Sequence, residues 1–204
     1  MQYHIEPKAK DVLGNTLNSI YINLLILTIM AINEKQMAFA KKVYQAAIGG
    51  EVHPLFVTAQ AVLETGWGAH TIGENNIFGI TKGSSWTGPV DMVNTTEYFA
   101  HDRKTFSPPD KILRKIKLAS GKWQYKVCRA FRHYETLSEC LADHTSLFKK
   151  PMYSDAWPYR NDPLMFALKI TDNYKAKYAT SPVYYQSLRS LIITLGAKEK
   201  WLKS

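Results

Sequence analysis

Ala61-Val62-Leu63-Glu64-Thr65-Gly66-Trp67-Gly68 is the stretch on which the reading of this chain turns. It closes an apolar run that opens at His53-Pro54 and carries Leu55, Phe56, Ala59, Val62 and Leu63 at the three-and-four spacing of one helix face. Proline suits the first turn of a helix and glycine the residue just past its end, so the helix is expected to stop at Gly66. Glu64 then falls in the last turn, beside an indole and two glycines. The carbonyl end of a helix carries partial negative charge, which opposes an ionised Glu by about 0.3–1 kcal/mol, and cover from Leu63 and Trp67 would act in the same direction. Both effects favour a carboxyl that keeps its proton, as a donor to a departing oxygen must. An ordinary surface glutamate at a helix end is the alternative that spacing alone leaves open.

Working outward, Asn33 and Gln36 have the spacing of a capping box, and Phe39, Ala40, Val43, Tyr44 and Ala47 continue at helical period until Gly49-Gly50. Between about Trp86 and Tyr134 the period changes. Thr95, Glu97 and Phe99 alternate with Thr96 and Tyr98, and a turn at Ser120-Gly121-Lys122 leads into Trp123, Tyr125 and Val127, which predicts a small β region. Thr136 and Glu139 form a second capping-box pattern, followed by Leu141, His144, Leu147 and Phe148 in a helix to about Lys150. Short helical runs follow Pro163 (Phe166, Leu168, Ile170) and Pro182 (Tyr185, Leu188, Leu191, Ile192, Leu195), the last ending at Gly196. Helices at both ends with a β insertion make an α+β fold that is mainly helical.

The 204 residues are enough for one good core, and 46% hydrophobic with 12% aromatic residues argue against disorder. The formal charge of +9 is concentrated: from Arg103 to Arg132 there are ten basic residues and one acid, Asp110, while the rest is balanced. Such a stretch is either a solvated face or a surface that attracts a polyanion. Two cysteines, Cys128 and Cys140, cannot build a disulfide scaffold, and no Cys or His spacing suggests a metal site, so neither metal nor cofactor is expected. Residues 1–32 form a separate apolar extension. The run from Ile20 to Ile32 is shorter than the roughly 20 residues of a membrane span, which leaves a signal or anchor, or an upstream extension before a true start at Met30. Residues 33–204 are read as the folded domain.

In order along the chain, Ala61–Gly68, Asn75-Asn76-Ile77-Phe78-Gly79-Ile80, Thr95-Thr96-Glu97-Tyr98, Phe131-Arg132-His133-Tyr134 and Tyr178-Ala179-Thr180 resemble the glucosaminidase family typified by the flagellar muramidase domain, glycoside hydrolase family 73. The resemblance runs from about Asn33 to about Ala197. It implies a lysozyme-like fold in which a helical lobe and a small β lobe flank a groove for the peptidoglycan glycan strand. It also implies hydrolysis of the β-1,4 bond after N-acetylglucosamine, with Glu64 as general acid. Glu97 then corresponds to the carboxylate that activates water or stabilises the oxocarbenium ion, and Tyr178 to the hydroxyl that positions the sugar. Trp67, Phe78, Trp86 and Tyr98 offer flat faces for sugar rings, and Asn75 and Asn76 offer amides, although each has a structural alternative: core for Phe78, a turn for Asn76. The chain departs from the family pattern at Lys177 and Ser181, and its segment between Glu97 and Phe131 is longer than in the simplest members.

The resemblance carries expectations about context. The protein should act at the cell wall, exported or periplasmic, or as a cytoplasmic phage-type enzyme, and as a monomer. The basic stretch 103–132 would meet anionic wall polymer; nucleic acid is not expected, because no stacking module accompanies the charge. Lytic-transglycosylase cleavage and a catalytically silent glycan-binding module are the competing functions.

Overall fold

The computed structural model describes residues 32–102, 104–172 and 183–204. Residues 1–31, which hold nearly all of the apolar extension, and Tyr178 with its neighbours Lys177 and Ser181 lie outside the described residues.

The capping box at Asn33 forms as its spacing predicts: Asn33 Oδ1 accepts from the Gln36 amide and Gln36 Oε1 from the Asn33 amide, each at 2.9 Å. Helix α1 (Glu34–Ala47) then buries Met37, Ala40, Val43, Tyr44 and Ala47 along one stripe. Helix α2 (Pro54–Thr65) differs, because every residue from Leu55 to Val62 is buried. A helix covered all round is a core element, and α2 packs against α1, α4 (Pro163–Thr171) and α5 (Tyr184–Gly196). Helix α3 (Leu137–Phe148) closes the lobe. Phe56 of α2 meets Phe166 of α4 at 4.7 Å and Phe148 of α3 at 5.8 Å, both edge to face. Thr136 caps α3 through the Glu139 amide, but Glu139 reaches back to the amide of Glu135 rather than Thr136. A short helix α6 (Glu199–Lys203), which periodicity did not reveal, buries Leu202.

The β lobe is a three-stranded antiparallel sheet of β1 (Val90–Phe99), β2 (Lys111–Lys117) and β3 (Trp123–Arg132), in the order β1-β3-β2. Strands β1 and β3 follow the alternation read from the sequence, and the Ser120-Gly121 turn, with Gly121 at φ +79°, joins β2 to β3. Strand β2 was not predicted: as Lys-Ile-Leu-Arg-Lys-Ile-Lys it lies at the sheet edge, almost wholly exposed, and its pattern is set by charge rather than by a buried face.

Residues that carried the resemblance join the lobes. Asn76 is 1% exposed, donates from Nδ2 to the carbonyls of Ile80 and Arg132, and accepts the Ile80 amide on Oδ1. Asn75 gives its amide protons to the carbonyls of Tyr134 and Glu135. Arg132, at the end of β3, donates from Nη1 to both carboxylate oxygens of Asp143 of α3, which also accepts from the Tyr134 hydroxyl. Burial and that bond to Asp143 push the Tyr134 phenol far above its ordinary range.

Candidate active site

Glu64 leaves the helical lobe at the last turn of α2, and the turn behind it is fixed by more than sequence preference. Gly66, Trp67 and Gly68 are all left-handed, at φ +57°, +64° and +82°. For Trp67 that conformation costs on the order of 1–3 kcal/mol. It is held by Thr65, whose buried hydroxyl donates to the Ala61 carbonyl at 2.6 Å and accepts the Gly68 amide at 2.7 Å, and by the Trp67 amide on the Val62 carbonyl at 2.9 Å. No side chain fits at position 68, where a Cβ would stand 2.5 Å from the Phe39 ring.

The setting of the carboxyl corrects one expectation. Glu64 is exposed, and Leu63 and Trp67 pack against the helical core instead of covering it. Its recorded partner is one that the sequence reading missed. The Tyr184 hydroxyl, at the start of α5, donates to Glu64 Oε1 at 3.0 Å and accepts Gln60 Nε2 at 3.1 Å. Gln60 is one turn before Glu64 on α2, and its neighbourly spacing was visible; the approach of Tyr184 across 120 residues was not.

Glu97 has a different environment. It lies on the face of β1 that pairs across to buried Tyr125 of β3, and its Oε1 receives Arg129 Nη1 at 2.7 Å. Arg129 Nε reaches Asp110 Oδ2 at 3.2 Å, and Asp110 Oδ1 accepts the Ala130 amide at 2.8 Å. Glu97, Arg129 and Asp110 share a cavity of about 530 Å³ with Phe99, Lys104 and Phe106. Glu64 is not in its lining. The segment before β2 thus supplies both Asp110 and Phe106 to this cavity wall.

Several expected sugar contacts are not available as such. Asn76 is buried and its amide fully bonded, and the donors of Asn75 are taken by backbone, so both amides tie the two lobes together. Phe78 stacks on buried His144 at 3.7 Å, as a core reading anticipated. Trp86 is half-buried: its indole N–H goes to the Pro89 carbonyl at 2.9 Å, Gly88 presses on the ring, and the Arg132 guanidinium sits 4.9 Å from its centroid. Tyr98, 57% exposed, points to the opposite face of the sheet from Glu97, because side chains alternate along β1. It accepts Gln124 Nε2 at 2.9 Å. Trp67 remains half-buried beside Glu64.

A family model described as glucosaminidase, mannosyl-glycoprotein endo-β-N-acetylglucosaminidase, matches residues 40–196. The chain belongs to the glucosaminidase family. Among curated relatives of this glucosaminidase chain, the peptidoglycan hydrolase FlgJ of Salmonella typhimurium is 32% identical over 149 residues, which are 69% of the chain and 39% of the relative. The autolysin of Enterococcus faecalis is 28% identical over 156 residues, 72% of the chain and 18% of the relative. The chain therefore spans less than half the length of these relatives. Among solved structures, the glycoside hydrolase domain of Salmonella typhimurium FlgJ matches with a TM-score of 0.57 at 24% identity, covering 82% of this chain and 92% of that one. The catalytic domain of the autolysin Auto from Listeria monocytogenes matches with a TM-score of 0.56 at 17% identity, covering 97% and 99%. These likenesses show the lysozyme-like fold of the glucosaminidase domain, a helical lobe with a small antiparallel sheet.

Proposed function

We propose that the chain is a peptidoglycan hydrolase that cuts the β-1,4 bond after N-acetylglucosamine, with Glu64 as general acid. The observation that carries the reading is the family match over residues 40–196, within which Glu64 stands exposed at the end of α2, open to a polymer and steadied by a phenol. Exposure suits a donor whose substrate is itself the cover. A sugar ring laid over Glu64 displaces its water, and the proton then passes to the leaving glycosidic oxygen. Glu97, fixed by Arg129, supplies the second carboxylate, which activates water or faces the positive charge developing at the anomeric carbon. Tyr178 positions the sugar, and Trp67 is the aromatic wall nearest the acid in sequence.

Residues 33–204 are the catalytic domain in this reading, and residues 1–32 an apolar extension that serves as signal or anchor or precedes the true start. The enzyme acts at the cell wall as a monomer. No helix among the described residues is long and apolar enough to cross a membrane. Within the basic stretch Lys115, Arg129 and Arg132 are paired with carboxylates of the chain, while Lys111, Arg114, Lys117, Lys122 and Lys126 are exposed and can meet an anionic wall polymer.

Digestion of purified sacculi, borohydride reduction and mass spectrometry test the chemistry. Reduced N-acetylglucosamine termini are expected. Reduced N-acetylmuramic acid would move the cut to the alternate bond, anhydro termini would make the enzyme a transglycosylase, and sacculi bound but never cut would leave a silent binding module.

A further inference from the structure

Asp110 stands where the ladder between β2 and β3 runs out. The pairing of the two strands ends at Lys111 with Cys128, and the next β3 amide on that side, Ala130, finds no strand residue there. The Asp110 carboxylate supplies the missing acceptor, with Oδ1 at 2.8 Å from the Ala130 nitrogen. That bond fixes the carboxyl against backbone and leaves Oδ2 to receive Arg129 Nε at 3.2 Å. Both side chains are largely covered, so salt screens the pair less than it screens an exposed one.

An arginine that meets a single carboxylate favours the fork, two N–H donors on two oxygens. Arg129 does not take that form with Glu97. Its Nη1 reaches Oε1 at 2.7 Å, its Nε goes to Asp110, and the guanidinium lies 5.6 Å from the centre of the Phe106 ring. Thr95 Oγ1 stands 3.5 Å from the same Oε1. Among the described residues every bond to Glu97 thus falls on one oxygen, and Oε2 has none. Lys82 and Lys104 line the same cavity, but the cation bonded to Glu97 is Arg129. A carboxylate that activates water or faces a developing cation needs to be held still and to keep an oxygen uncommitted. The split guanidinium meets both needs.

We infer that Asp110 is a positioning residue for the hydrolysis: by holding Arg129 Nε it makes the guanidinium meet Glu97 through a single nitrogen, so that Glu97 is fixed by Oε1 and keeps Oε2 for the reaction. This rests on the reading of Glu97 as the second carboxylate and deepens it. Asp110 acts through Arg129 and touches neither the sugar nor the water. Without it the guanidinium is released to close on Glu97 as a fork, and the oxygen that the reaction needs is spent.

Asp110→Asn separates the two duties of the side chain. An amide oxygen still accepts the Ala130 N–H, but the amide nitrogen cannot accept from Arg129 Nε. On purified sacculi this variant should lower kcat by about 10-fold with KM nearly unchanged. In a Glu97→Gln background the same substitution should cost nothing further, because no carboxylate oxygen is left to keep open. In the ¹⁵N-labelled full chain the Arg129 Nε–H signal, assigned by its loss in Arg129→Met, should exchange with water about 10-fold faster in Asp110→Asn than in the wild type. Arg129→Lys keeps the charge but has one nitrogen to divide between Asp110 and Glu97, so it should lower kcat comparably, and it carries the test if Asp110→Asn does not fold. Wild-type kcat in Asp110→Asn or in Arg129→Lys overturns the inference, as does an equal loss in both Glu97 backgrounds or an Arg129 Nε–H whose exchange is unchanged. Each of these results leaves Glu97→Gln impaired, whereas wild-type turnover in Glu97→Gln itself would strike the reading beneath, so the two failures are told apart.

Discussion

In the helical lobe, Glu64 projects from the end of a helix buried on every side and meets one phenol, whereas in the β lobe Glu97 is half-buried in an ion pair whose cation is shared with a third group, Asp110. The first carboxylate owes its place to apolar packing far behind it. The second owes its place to neighbours of opposite charge, on a sheet whose edge strand is almost wholly exposed. Packing holds regardless of salt, and surface charge does not. The lobes should therefore fail in different ways.

The largest expected effect lies in the helical core. Phe56→Ala should cost about 3–5 kcal/mol in urea unfolding, because Phe148 and Phe166 lose the ring packed against both. Tyr125→Phe in the β lobe, which removes the hydroxyl with its bonds to Asp102 and to the Lys104 backbone, should cost about 1 kcal/mol. Equal losses would erase the distinction between the lobes.

Glu97→Gln should lower kcat by about 100-fold, roughly 2.7 kcal/mol, without a comparable rise in KM. Wild-type turnover in that variant would make Glu97 a strut for Arg129 and leave Glu64 to act without it.

Acid should strain the joint between the lobes. Burial lowers His144 from 6.5 to about 3, opposed by the nearby Asp143 charge. The unfolded chain then takes up this proton first as pH falls, so the neutral ring's contribution is complete above about 6.5 and is lost between there and about 3. The slope from this group reaches about 1.4 kcal/mol per pH unit. Urea midpoints measured across that window should fall steeply for the wild type and more gently for His144→Leu.

The smallest effect is at the sheet edge. Reversing Lys111, Arg114 and Lys117 together should weaken retention on sacculi several-fold at low salt and change little at about 0.5 M salt, where exposed charges are screened. Unchanged retention at low salt would remove the basic strand from wall binding.

Much of this fold was legible because local signals agreed. Asn33 and Gln36 announced a helix start, Pro54 and Gly66 bracketed the central helix, and two-residue alternation marked β1 and β3. Strand β2 escaped because lysines and arginines on an exposed edge carry no buried period. The site was legible only in part. Motif order pointed to Glu64 and Glu97, but the Asn-Asn-Ile-Phe pattern proved to be a joint, since amides that could grip a sugar can equally grip backbone carbonyls. Tyr184 reaches Glu64, Arg129 reaches Glu97 and Asp110 reaches Arg129 through the fold rather than through neighbouring sequence, and no local pattern discloses such partners.

Of all measurements, the most direct is the rate at which new reducing ends appear on purified sacculi with Glu64→Gln beside the wild type, each shown by its thermal midpoint to be folded. A side-chain amide in place of the carboxyl keeps the shape and has no acidic proton to give. The variant should release no fragments above background while still binding the sacculi; release at the wild-type rate would contradict the assignment of the acid to Glu64.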